Sequence, residues 1–187
     1  MTEEEDLELL RRVREGDAEA FHAIFQRHAP AVRRFAGSVL GSAADADEAT
    51  QETFVRAHAR LSRLRDGTRL RAWLLGIARI VALDELSERK REPLADEDAA
   101  DEVLLETPED AALSTEAEFV LHHVLEALSP ERRAAVLLRI DHALGYPEIA
   151  EAMGWTLQKV KNEIHRARLK MRATVLDYLK GKPWRST

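Results

Sequence analysis

The sequence predicts an all-α protein made of two small helical domains joined by an acidic linker, and three observations carry that prediction. Ala, Leu, Arg and Glu dominate the 187 residues, whereas glycines and prolines number eight and six and aromatics make up 5%; such a composition favours helix over sheet. Apolar residues recur at helical spacing in successive blocks, each bounded by a capping residue or a breaker. Residues 92–118 hold eleven acids and no lysine or arginine, and this charge run divides the chain.

The elements follow in order. Glu4 to Arg14 reads as a short helix stopped near Gly16. Asp17 caps a longer one carrying Phe21, Ile24, Phe25, Val32, Phe35, Val39 and Leu40 before Gly41, and that spacing makes its phenylalanines core residues. Asp45, with Glu48 three residues on, has the form of a capping box and opens a third helix through about Leu64. Arg65-Asp66-Gly67-Thr68 is a turn, after which a fourth helix with Trp73 in its apolar stretch runs from Arg69 to Arg91 before Pro93. The next stretch lacks apolar periodicity and reads as an extended linker. Thr107 then caps a helix with Pro108 in its first turn and acids at its positive end, and Ser129-Pro130-Glu131 repeats the device. The later helices are expected near 108–128, 130–143, 147–153 and 157–180. The division is a first domain over 1–92, a linker over 93–107 and a second domain over 108–187.

Composition also excludes functions. With no cysteine, the chain has no disulfide, thiolate metal site or Cys nucleophile, and a reducing cytoplasm is the expected compartment. The first six residues are acidic where a secretory signal would be basic. The longest apolar run, Trp73 to Leu83, is broken by Gly76 and Arg79 and falls short of the roughly 20 residues of a membrane span. His122 and His123 point different ways on a helix and have no further ligands at metal spacing, so neither metal nor cofactor is expected. The net charge of −6 is unevenly spread: from Thr156 onward nine cations face only Glu163 and Asp177, and Arg56 to Arg91 holds ten cations against four acids. Two basic regions flanking an acidic middle point to a polyanion partner.

The most informative segment is Tyr146 to Lys161. A short helix with Ile149, Ala150 and Met153 inward, a turn containing Gly154, and Thr156 as cap of a second helix form a helix-turn-helix pattern. On the second helix Val160, Ile164, Ala167, Met171, Val175 and Tyr178 share one side. Opposite lie Gln158, Asn162, His165 and Arg166, with Lys159 on the shoulder and Lys161, Arg168, Lys170 and Arg172 flanking. Gln and Asn pair with adenine, Arg and Lys with guanine, and all of them with phosphate; the competing reading is a solvated charged face.

Leu128 to Arg139, Tyr146 to Glu151 and His165-Arg166-Ala167-Arg168 resemble region 4 of the extracytoplasmic-function (ECF) sigma factors of the sigma-70 family. Asp45 to Ala57 resembles region 2.2 of that family, and Leu70 to Arg79 with Ala82 to Leu86 and Arg89-Lys90-Arg91 resembles regions 2.3 and 2.4. The resemblance implies a non-enzymatic subunit that binds core RNA polymerase at the beta-prime clamp and the beta flap, opens promoter DNA and is held by an anti-sigma factor. It implies −35 reading by Thr156, Gln158, Lys159, Lys161, Asn162, His165, Arg166 and Arg168. It implies −10 reading by Arg65, Asp66, Arg69, Arg71, Arg79, Ile80 and Asp84, and polymerase binding by Asp47, Gln51, Glu52 and Phe54. The chain departs from the family at Ile80, where Asn is usual, at His58, where an aromatic often stands, and at Gln158-Lys159 and Asn162-Glu163, which replace Gly-Thr/Ser and Ser-Arg.

Two other functions compete. A stand-alone helix-turn-helix regulator would bind duplex DNA tightly without polymerase, as a dimer on paired half-sites. A helical enzyme would need a convergent nucleophile, base and orienting group, and the sequence offers none.

Overall fold

Local chemistry places the helix boundaries. The computed structural model describes residues 3–61, 64, 69–91 and 111–180; the Arg65 to Thr68 turn, the acidic linker and the Thr107 cap lie outside the described residues. In the first half α1 spans Glu3–Arg14, α2 Ala18–Leu40, α3 Ala43–Arg60 and α4 Leu70–Arg89. In the second, α5 spans Ala111–Glu126, α6 Pro130–Ile140, α7 Tyr146–Met153 and α8 Leu157–Leu179. The described residues form no strand.

Asp17 caps α2 by accepting from the N–H groups of Glu19 and Ala20, and Gly41 closes it at a left-handed φ of 77°. The cap of α3 is Ser42, whose hydroxyl accepts from Asp45 N–H, rather than Asp45 itself. Asp45 stands one turn inside the helix and pairs with Arg89 of α4, so a carboxylate that looks like a cap is an inter-helix tie. Ser129 occupies the cap position of α6 without a side-chain hydrogen bond, and Pro130 together with Glu131 in the first turn marks that start.

Helices α2, α3 and α4 pack around Ile24, Val32, Phe35, Val39, Leu74 and Leu75, each nearly inaccessible, while α1 lies along α2. Two threonines on the buried face of α3, Thr50 and Thr53, donate their hydroxyls to the carbonyls of Ala46 and Ala49 and so leave no polar group unpaired. Helices α6, α7 and α8 form the second body around Leu138, Ile149, Val160 and Ile164.

The two bodies meet, and their buried residues merge into one core. A Cβ added at Gly76 of α4 would lie 3.2 Å from the Cα of Ala152 in α7 and 3.3 Å from its carbonyl oxygen. Only glycine permits that approach without displacing backbone. Around this contact Arg34 pairs with Asp141 at 3.0 Å and Arg133 reaches across to the Val39 carbonyl at 3.2 Å.

His142 lies at the centre of the seam. Its side chain is inaccessible, its ring meets Phe35 edge-on at 5.7 Å, and its Nδ1 accepts from Arg71 at 3.3 Å. Asp141 Oδ2 stands 3.1 Å from Nε2 but off the line of a hydrogen bond. Burial, opposed by Asp141 and assisted by Arg71 and Arg34, pushes the imidazole down to about 4 from its ordinary 6.5. Because the folded value is depressed, the unfolded or opened chain binds the proton first. The stability of the closed form is therefore complete above about pH 6.5 and drains away as pH falls toward 4. Urea unfolding at pH 7.5 and 5.5 is expected to show a loss on the order of 1 kcal/mol, which His142→Gln removes; an equal loss in both proteins contradicts the assignment.

Candidate nucleic-acid interface

The helix-turn-helix is built by three local devices. Gly145 N–H donates to the Glu148 carboxylate at 2.7 Å and starts α7. Gly154, at φ 63°, closes α7 in the left-handed region that glycine adopts freely. Two residues later the Thr156 hydroxyl accepts from Lys159 N–H at 3.2 Å and starts α8. Ile149, Ala152 and Met153 bury the inner side of α7, and Ala150 packs at the edge of the core. Val160, Ile164 and Ala167 bury the inner side of α8, continued by Thr174 and the half-buried Met171, Val175 and Tyr178.

Burial of that stripe fixes what α8 shows to solvent. Thr156, Gln158, Lys159, Lys161, Asn162, His165, Arg166 and Arg168 are all exposed. Several are held in place. Gln158 donates to Asn162 at 3.0 Å, which aligns two amides one turn apart. Lys159 Nζ sits 4.3 Å from the ring centroid of Trp155, a cation–π contact. Arg166 donates to Glu163 at 2.7 Å, and the other oxygen of Glu163 takes Arg132 of α6 at 2.5 Å.

The first-half residues divide differently. Asp47 and Gln51 are exposed on α3 and Glu52 is half-buried. Arg33 lies 2.5 Å from Asp47 and holds its carboxyl below the usual range, and Arg56 donates to Glu52 at 2.6 Å. Phe54 is a correction. It is 4% exposed, with its ring edge-on to Phe25 at 4.8 Å and to Phe21 at 6.4 Å, so it anchors α3 to α2 and presents no surface to a partner. Trp73, Phe21 and Phe25 are partly buried against the core, and Phe35 is fully buried.

On α4 Ile80 and Asp84 are exposed, whereas the three described cations expected to read −10 DNA all reach into the second half. Arg69, just before the helix, pairs with Glu151 at 2.7 Å, Arg71 with His142, and Arg79 Nε donates to the Ala152 carbonyl at 3.1 Å. Burial drives the Arg79 guanidinium below its ordinary value. Arg65 and Asp66 lie outside the described residues.

Residues 24–92 match sigma-70 region 2 and residues 118–171 match sigma-70 region 4. The sigma-H factor of Pseudomonas aeruginosa is 31% identical over 178 residues, spanning 90% of this chain and 92% of that protein. The ECF sigma-E factor of Escherichia coli K12 is 30% identical over 173 residues, 87% of this chain and 90% of that one. The chain belongs to the sigma-70 family, among its ECF sigma factors. Such sigma factors are non-catalytic proteins of transcription initiation, and the helix-turn-helix of this one lies within its region 4 match. CnrH, solved with the cytosolic domain of CnrY, superposes on the sigma factor with a TM-score of 0.68 at 25% identity, covering 93% of this chain and 98% of CnrH. RpoE of Bartonella quintana, solved with the anti-sigma factor NepR, has the same fold, with a TM-score of 0.68 at 22% identity over 84% of this chain and 98% of that one. None of the described helices of the sigma factor is long and apolar enough to cross a membrane.

Three features were not read from the sequence, two on this surface and one at the seam. Trp155 signalled a turn residue and not a platform for Lys159, and Glu163 looked like a stray acid among cations. Gly76 carried a usable signal, since glycine inside an apolar helix marks a close approach.

Proposed function

We propose that this sigma factor binds core RNA polymerase and directs it to promoters, with α8 reading −35 DNA and α4 opening and reading the −10 element. The observation that carries this reading is the outward face of α8, where seven polar or cationic side chains and the cap Thr156 stand exposed on a helix-turn-helix whose inner face is buried. Arg166 and the Gln158–Asn162 pair are suited to base edges, and Lys159, Lys161 and Arg168 to phosphates. Asp47, Gln51 and Glu52 supply the acidic and amide groups on α3 that a basic coiled coil of the polymerase clamp would meet. The beta flap would be met by region 4. An anti-sigma protein is a further partner, by likeness to RpoE with NepR.

The seam between the halves bears on how the protein works. Arg69, Arg71 and Arg79 contact the second half, so −10 reading requires the seam to open. The free chain is then a weak duplex binder that becomes competent on the polymerase, unlike a stand-alone regulator. Co-purification with core enzyme tests this reading, and failure to bind core ends it.

On the holoenzyme, Arg166→Ala is expected to cost about 1–3 kcal/mol at its base step and relax preference there. Lys159→Ala is expected to weaken all sequences alike and lower the salt slope by roughly one. Quantitative binding to a −35 library checks both, and unchanged selection in both variants contradicts the assignment of this face.

A further inference from the structure

Helix α8 carries two acids, Asp177 near its end and Glu163 within the DNA-facing half. Glu163 stands where the family pattern has a cation, and a carboxylate beside DNA phosphates is electrostatically costly unless it serves the cations around it. Its geometry is specific. The side chain is 13% exposed, with Oε2 at 2.5 Å from Arg132 Nε in the first turn of α6 and Oε1 at 2.7 Å from Arg166 Nη1 one turn along α8. The hydrogen bond from Arg132 and the charge of both guanidinia hold the carboxyl below its usual range, so Glu163 is an anion at neutral pH. Arg132 ties that anion to the scaffold, whereas the Arg166 side chain is 61% exposed.

We propose that Glu163 is a positioning residue for Arg166 that makes the recognition helix read a base in place of a phosphate at that step. This rests on the reading of α8 as the −35 helix. A free arginine side chain samples many rotamers and is drawn to the nearest phosphate, the stronger and sequence-independent attraction. A guanidinium has five N–H donors in a rigid fork; Glu163 engages Nη1 and leaves the other donors in one orientation, as bidentate contact with guanine requires. The same carboxylate repels the backbone phosphates and so penalises the swing toward them. Arg132 keeps the carboxylate from following Arg166 as it moves. Glu163 therefore trades affinity for discrimination.

The test uses the full chain assembled with core polymerase and measures binding to a library of −35 elements, at several salt concentrations, for wild type, Glu163→Gln, Glu163→Ala and Arg166→Ala. Glu163→Gln is expected to lower discrimination by about tenfold at the one base position that Arg166→Ala also flattens, leaving the other positions as they were. It is expected to steepen the salt slope by about one, as the released arginine gains a phosphate. Glu163→Ala should behave alike, and thermal melting of each variant separates loss of fold from loss of reading. A melting shift with base preference and salt slope unchanged overturns the proposal, because Glu163 is then only a staple between α6 and α8. If the wild-type holoenzyme shows no −35 preference at all, the reading of α8 falls first and Glu163 with it.

Discussion

A chain carrying Gly76→Cys and Ala152→Cys is expected to lose promoter opening when oxidised and to regain it on reduction. The native sequence has no cysteine, so the engineered pair has no competing thiol. A Cβ at Gly76 lies 3.6 Å from the Cβ of Ala152, within the range of roughly 3.5–4.5 Å that disulfides use. The same Cβ crowds the Ala152 backbone at 3.2–3.3 Å, so the helices must give by a few tenths of an ångström, and the single variants report that cost. Once formed, the bond holds Arg79 against the Ala152 carbonyl and Arg71 against His142, and promoter DNA has no route to these proposed −10 contacts. Transcription from a cognate promoter should fall to the level of core enzyme alone and return with reductant. Equal activity of oxidised and reduced protein would mean that −10 reading does not require the seam to part.

Ile149→Ala is expected to be the most damaging single truncation in the helix-turn-helix. Ile149 is fully buried on α7, the helix that packs against both α8 and α4. Truncating a buried isoleucine costs about 2–5 kcal/mol, a large part of the roughly 5–15 kcal/mol that holds a domain folded. The loss falls on both surfaces that α7 supports, so the urea midpoint should drop together with −35 binding. An exposed neighbour such as Lys161→Ala should leave the midpoint within about 0.5 kcal/mol of wild type. If Ile149→Ala unfolds at the wild-type midpoint, the packing described for α7 is wrong.

The helices were legible because their signals are local. Asp17, Gly41, Gly154 and Thr156 act through their own backbone neighbours, and the periodic stripe of Val160, Ile164 and Ala167 needs only a helix to define its buried face. Features that depend on a second helix were not. Asp45 and Ser42 are both good caps, and the choice turns on Arg89, which is distant in sequence. Phe54 shares a helical stripe with Asp47 and Gln51 but lies at its edge, where the aromatic rings of α2 draw it inward. The seam was invisible for the same reason: Arg71 and Arg79 look like free cations until His142 and the Ala152 carbonyl are brought beside them. The outward face of α8 needed no partner helix, and the sequence named its residues directly.

Sequencing the 5′ ends of transcripts made by core RNA polymerase with and without this chain, on a common DNA template, decides whether the chain directs initiation. New start sites are expected that appear only with the chain, share one −35 and one −10 element, and vanish when either element is scrambled. An unchanged set of starts, with the chain failing to associate with core enzyme, would contradict that role.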